Sequence, residues 1–152
     1  ISGGIRPNVV AESCRLEVDL RAVRGDDLDA ALAAVREVCA RTEVPDVSVT
    51  IEVVASHRPM EKLEASGRLV DLAVSLSGLL GFELKDAATG GASDANTTAG
   101  MGIPTIDGLG PVGGLDHSPD EYLEVASIVP RTTLLAALIL AIGRGSVPRS
   151  SP

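Results

Sequence analysis

The sequence predicts an α/β fold in which strands alternate with helices, and three patterns support this. Over residues 14–21, apolar and polar side chains alternate without error, which is typical of a half-buried antiparallel strand. Over 28–39, apolar residues recur at helical spacing. Alternation returns over 47–53, so residues 14–54 predict strand–helix–strand, half of a small α+β layer.

The second half of the chain continues the alternation. It predicts, in order, helix 66–80, strand 82–87, helix 94–101, buried strand 103–107 and helix 127–142. Pro130 falls in the first turn of the last helix, where proline is tolerated. The tail at 147–152 is predicted to be flexible.

Composition argues against several classes of partner. The 152 residues carry 13 basic and 21 acidic side chains, a net charge of −8, whereas nucleic acid and anionic membranes call for basic patches. One Phe and one Tyr give no base-stacking platform or aromatic cage. The longest apolar run, 134–142, is well short of the ~20 residues that cross a bilayer. We therefore expect no nucleic acid and no membrane as partner.

A glycine-rich segment follows the last predicted strand. Gly108, Gly110 and Gly113 have the spacing of a dinucleotide-binding fingerprint, which requires a helix to begin inside the loop and hold the pyrophosphate. Pro111 lies in this loop, and no amphipathic run comes after it. Nucleotide binding is therefore the weaker alternative.

His117 is a candidate metal ligand. It follows a predicted buried strand and is close in sequence to Asp116, Asp120 and Glu121. Ligands bind at strand ends in α/β sheets, and a nearby carboxylate can orient the second nitrogen of a metal-bound imidazole. Because one histidine makes no metal site by itself, a surface histidine in a polar loop is the alternative.

Asn8 and Arg21 form a second candidate group. Arg21 shares the polar face of the first strand with Asp19, and a guanidinium at a strand end suits bidentate capture of a substrate carboxylate. A solvated strand face is the alternative. Ser93 is interpreted as a helix cap or a substrate contact, because its surroundings lack the G-x-S-x-G pattern of a nucleophile turn.

Four segments together resemble the M20 family of metallopeptidases, which includes glutamate carboxypeptidases, acetylornithine deacetylases and succinyl-diaminopimelate desuccinylases. The order and spacing of the segments match that family over residues 2–145. Within it, the glutamate carboxypeptidase branch is the most similar, through the Arg58-Pro59 junction and the GGxSDA…GLGPVGG run. The segments are SGG with NVV and VDLR at 2–21, GGASDA at 90–95, GIPT…GLGP at 102–111 and HSPDEY at 117–122.

The resemblance implies half of an α+β lid, or dimerisation, domain at 1–57 and part of a zinc-peptidase catalytic domain, a mixed sheet with helices, at 58–146. It implies a parent enzyme with two zinc ions that hydrolyses an amide bond next to a free carboxylate, and a homodimer through the lid. By motif, His117 is a zinc ligand. The residues that match carboxylate-holding or pocket-lining positions are Asn8, Arg21, Arg58, Gly90, Gly91 and Ser93.

The sequence also departs from the family pattern. The other zinc ligands of the family precede the lid, and these 152 residues contain no H-x-D and no Glu-Glu. The lid histidine with which the family stabilises the oxyanion precedes the GG segment and is missing as well, since His57 does not match its position. Ala11 and Ala92 replace the usual proline and threonine.

These departures, and a start at Ile1 without a signal peptide, predict the C-terminal portion of a cytoplasmic M20 enzyme. We expect this chain to be inactive alone and to associate with its missing N-terminal half or with another copy. A non-catalytic dimerisation module, in which 14–54 pairs with its copy, is the alternative.

Overall fold

The computed structural model describes residues 1–145, which contain four helices and four two-residue strands. The chain divides into two compact units, Ile1–Val54 and a second that begins at Ala55. This mixture of helices and small sheets is compatible with the predicted α/β class. The predicted flexible tail, 147–152, lies outside the described residues.

The first unit combines a short ladder with one helix. Strand β1 (Ser2–Gly3) pairs antiparallel with β2 (Cys14–Arg15). Helix α1 (Gly25–Ala40) confirms the helical pattern and adds a turn before it. Asp26 and Asp27 lie in that first turn, where negative charge interacts favourably with the helix dipole.

The predicted strands of the first unit are largely wrong. Only Cys14–Arg15 of the segment 14–21 is a strand, and none of 47–53 is. Alternation marks which side chains share a face, but a strand also requires a partner for its backbone hydrogen bonds, and the described part of this unit offers none to 47–53. The apolar side chains of both segments therefore stay exposed, among them Leu16, Val18, Val47, Val49, Ile51 and Val53.

The second unit is built on two packed helices. Helix α2 (Glu64–Leu79) packs against α4 (Val125–Gly143), and the core between them contains Ala73, Leu134 and Leu138. The two leucines share a face of α4 because they are four residues apart. Partly buried apolar residues from the helices and the connecting segments pack around this core, namely Leu72, Leu76, Phe82, Leu84, Ile106 and Leu109.

Helix α3 (Asp94–Gly100) is confirmed, whereas the predicted strands 82–87 and 103–107 are not strands in the structure. The second segment is anchored through a side chain instead. The buried hydroxyl of Ser66 on α2 accepts a hydrogen bond from the Thr105 N–H at 3.0 Å. The remaining strands, β3 (Gly113–Gly114) and β4 (Tyr122–Leu123), form an antiparallel hairpin.

Helix α4 begins two residues earlier than predicted. Pro130 therefore lies in its second turn, not its first, and the Ala126 carbonyl has no N–H partner four residues on. By length and composition alone α4 could cross a membrane, although the core helix of a soluble protein passes the same test. One face is buried at Leu134 and Leu138, while much of the rest is exposed. The absence of a membrane partner stays a prediction.

We expect Leu134→Ala to lower the free energy of unfolding by about 2–5 kcal/mol, because it opens a cavity in the helix–helix core. Leu140→Ala is the matched control, since Leu140 is 59% exposed whereas Leu134 is fully buried. Urea unfolding followed by far-UV circular dichroism measures both. Equal losses in the two variants would contradict the core described above.

Candidate functional site

His117 lies in the turn of the β3–β4 hairpin and is exposed. Its backbone is left-handed, with φ of 65°, and Leu115 has φ of 58°. Such conformations cost about 1–3 kcal/mol each and need a surrounding structure that holds them. Three hydrogen bonds do so: Ser118 N–H to the Leu115 carbonyl at 3.1 Å, Glu121 N–H to the Ser118 carbonyl at 3.2 Å, and His117 N–H to the Glu121 carboxylate at 3.4 Å.

A shallow depression of about 540 Å³ lies beside this turn, lined by Pro111, Gly113, Asp116, Glu121, Tyr122 and Leu123. Two of its lining residues are carboxylates from the turn that contains His117. Zinc takes four protein ligands in structural sites and three in catalytic ones. Within residues 1–145 no group of three or more His, Cys, Asp or Glu side chains could hold a metal. The donors described here do not complete a zinc site by themselves.

The hairpin is tight because two glycines face Tyr122. A Cβ atom on Gly113 would lie 2.6 Å from the Tyr122 carbonyl oxygen, and one on Gly114 would lie 2.9 Å from the tyrosine ring. The glycine-rich loop leads into strand β3, and the next helix begins only at Val125. The loop therefore lacks the helix N-terminus that dinucleotide binding requires.

Ser93 caps helix α3, which confirms the cap interpretation. Its hydroxyl accepts from the Ala95 N–H at 3.1 Å, while its own N–H donates to the Asn96 side-chain oxygen at 2.9 Å, so the capping box is complete. Gly90 and Gly91, shortly before it, are exposed. A contact of these three residues with substrate stays a prediction.

Asp107 is a residue that the sequence reasoning missed. One carboxylate oxygen accepts from the Ser93 hydroxyl at 2.6 Å, and the other accepts from the Gly108 N–H at 2.7 Å. Asp107 thus joins the Gly90–Asp94 loop to the glycine-rich loop that begins at Gly108. In the sequence, the signal that could have identified Asp107 was its position as an acidic residue between an apolar segment and a glycine.

Arg58 lies against helix α3. The Asn96 amide donates to the Arg58 carbonyl at 2.8 Å, and a Cβ atom on Gly100 would lie 3.2 Å from the Arg58 Cβ. The structure therefore brings two predicted substrate residues, Arg58 and Ser93, to the same helix. His117 lies on a separate hairpin of the same unit.

Asn8 and Arg21 belong to the first unit. Asn8 is exposed in a turn. The Nε and Nη2 atoms of Arg21 donate to one carboxylate oxygen of Asp19 at 2.9 and 2.6 Å. The hydrogen bond from Arg21 lowers the pKa of Asp19, and the same bond raises the pKa of Arg21. In this structure the guanidinium is therefore engaged with a single oxygen of a neighbouring carboxylate, by charge-assisted hydrogen bonds.

Comparison with known proteins gives the chain's relatives. Residues 2–141 match the profile of Peptidase family M20/M25/M40. Carboxypeptidase G2 of Pseudomonas sp. (strain RS-16) is 33% identical over 143 residues, which are 91% of this chain and 34% of that protein. The uncharacterized protein YqjE of Bacillus subtilis (strain 168) is 25% identical over 140 residues, 90% of this chain and 37% of that protein. The chain spans about a third of the length of these curated relatives.

We expect Arg21→Gln to raise the pKa of Asp19 towards its ordinary value, because the hydrogen bond that lowers it is lost. The pair stabilises the fold above the unfolded-state pKa of Asp19, and that contribution disappears as pH falls through the lower folded-state value. A carbon-detected NMR titration of the Asp19 carboxyl measures the shift. The control is Arg15→Gln, which breaks the nearby pair with Glu17 and should leave Asp19 unchanged.

Proposed function

The chain belongs to peptidase family M20/M25/M40, and we propose that it is the C-terminal portion of a dinuclear zinc carboxypeptidase or deacylase. The parent enzyme would hydrolyse an amide bond next to a free carboxylate, as a glutamate carboxypeptidase does. The profile match and the similarity to a carboxypeptidase support a metallopeptidase-like function. The chain spans about a third of the length of its relatives, which supports its assignment to a portion of the enzyme.

Recognition of the substrate carboxylate is assigned to Arg21. The observation that carries this is the pair of N–H groups, Nε and Nη2, that converge on the Asp19 carboxylate. A substrate carboxylate would take the place of Asp19 and accept charge-assisted hydrogen bonds from the same two N–H groups. The Asn8 amide and the Arg58 side chain would add donors. The loop that contains Gly90, Gly91 and Ser93 would line the substrate pocket.

His117 is assigned as the one zinc ligand that this chain supplies. Its imidazole is exposed on a hydrogen-bonded turn, beside a depression that two carboxylates line. A bound zinc would act as a Lewis acid on the amide carbonyl. Because the described residues contain no complete set of ligands, the others would come from the N-terminal portion of the parent. No catalytic residue is assigned to these 152 residues.

The N-terminal portion of the parent is also the proposed partner of the exposed apolar surface. Residues 47–53 alternate as a strand does but have no partner strand within residues 1–145, and much of α4 is exposed. Neighbouring strands and helices of a larger domain would cover both. We propose that 58–146 belongs to the catalytic domain and 1–57 to a lid through which the enzyme dimerises.

We expect the purified 152-residue chain to show no hydrolysis of N-acyl glutamate substrates in the presence of zinc, because it supplies one histidine ligand where a catalytic site needs three protein ligands. Chromatographic detection of released glutamate measures this. Zinc-dependent turnover by the chain alone would refute the assignment. The complete polypeptide is the positive control; an upstream sequence without H-x-D and Glu-Glu would instead favour the non-catalytic dimerisation module.

In the complete enzyme, we expect Arg21→Gln to raise KM for substrates with a free carboxylate about 10- to 100-fold, as loss of charge-assisted hydrogen bonds does. Asn8→Ala should have a smaller effect in the same direction. Steady-state kinetics are measured with a substrate that has the free carboxylate and with its methyl-amide analogue. Loss of the Arg21–carboxylate contact raises KM only for the first substrate, whereas a general defect affects both. Arg15→Gln is the matched control, and an equal rise in KM for it would contradict the role of Arg21.

A further inference from the structure

We propose that Arg131 is a positioning residue for the turn that contains His117; the link to zinc rests on the function proposed above. Arg131 lies near the start of α4, and its guanidinium reaches back to the glycine-rich loop. Nε donates to the Gly110 carbonyl at 2.8 Å, and Nη2 donates to the Gly108 carbonyl. The planar guanidinium allows one side chain to hold two carbonyls at once, which the ammonium of lysine does less well.

Both partners of the Arg131 guanidinium belong to this loop. Over residues 1–145 it forms no ion pair, although the chain carries an excess of acidic side chains. The guanidinium binds two backbone carbonyls that lie more than twenty positions earlier in the chain, so Arg131 fixes the course of the loop.

A second residue of α4 strengthens the same attachment. The Ser127 hydroxyl accepts from the Val112 N–H at 2.8 Å, and the Glu124 N–H donates to the Val112 carbonyl at 2.8 Å. Both backbone polar groups of Val112 are therefore bound at the beginning of α4. Residues 108–112 are held along their length by one end of one helix.

This attachment matters for His117 because the loop continues into the hairpin that carries it. Val112 leads directly into β3, and the β3–β4 ladder contains only the pairs Gly113–Leu123 and Gly114–Tyr122. So short a hairpin is marginally stable by itself. Its placement therefore depends on its attachment to α4, and Arg131 acts on the His117 turn without contacting it.

The test compares Arg131→Met and Arg131→Lys in the 152-residue chain by hydrogen–deuterium exchange with mass spectrometry. In Arg131→Met we expect the amides of 108–124 to exchange at least about tenfold faster, as loss of hydrogen bonds from a charged donor allows. Arg131→Lys should give a smaller increase, since an ammonium can still hold one carbonyl. Exchange in α2 should be unchanged. Arg144→Met, which removes a charge at the other end of α4, is the control.

Unchanged exchange over 108–124 in both variants would overturn the proposal. Faster exchange in α2 as well would also overturn it, because Arg131 would then serve the stability of the whole unit. If Arg131→Met does not fold, the Arg131→Lys result decides between these outcomes.

A second measurement separates this proposal from the proposed function. In the complete polypeptide, zinc affinity is measured by competition with a chelator, and Arg131→Met should weaken it about tenfold, as loss of a ligand-orienting contact does. If His117→Asn leaves zinc affinity unchanged while Arg131→Met accelerates exchange, the zinc assignment fails and the positioning role stands. If His117→Asn weakens zinc binding but Arg131→Met changes neither quantity, the positioning role fails alone.

Discussion

The contact between α2 and α4 is the constraint on which the second unit depends. Leu134 and Leu138 are removed from water against Ala73, and the segments between the helices pack around this core. Ser66 on α2 holds Thr105, and the start of α4 holds the glycine-rich loop. The candidate site residues of this unit lie on loops or at a helix cap, and α4 positions the loop that leads to His117, as is usual for functional loops on a rigid scaffold.

The helices could be predicted from sequence, and most of the strands could not. Helical periodicity is a local property, so α1, α2 and α3 lie within a few residues of their predicted bounds. A strand depends on a partner elsewhere in the chain. The alternation over 47–53 identifies a face that could be buried, but in this structure no neighbouring strand within residues 1–145 completes it.

The same distinction applies to the site. The capping role of Ser93 was predictable, since a helix cap depends on residues within three positions. Asp107 and Arg131 were not, because their partners lie 14 to 23 positions away in the chain. The roles of His117, Asn8 and Arg21 come from motif resemblance, and the structure adds where each side chain lies. Their substrate and zinc contacts remain predictions.

The backbone at His117 has a consequence for directed evolution of this site. The left-handed conformation of His117 is adopted most readily by glycine and next by asparagine, aspartate and histidine. Valine, isoleucine and threonine rarely adopt it. Selection at position 117 therefore acts on turn geometry and on imidazole chemistry together. After selection of a saturation library at this position, β-branched variants would be depleted because of their backbone preference alone, whatever their effect on metal binding.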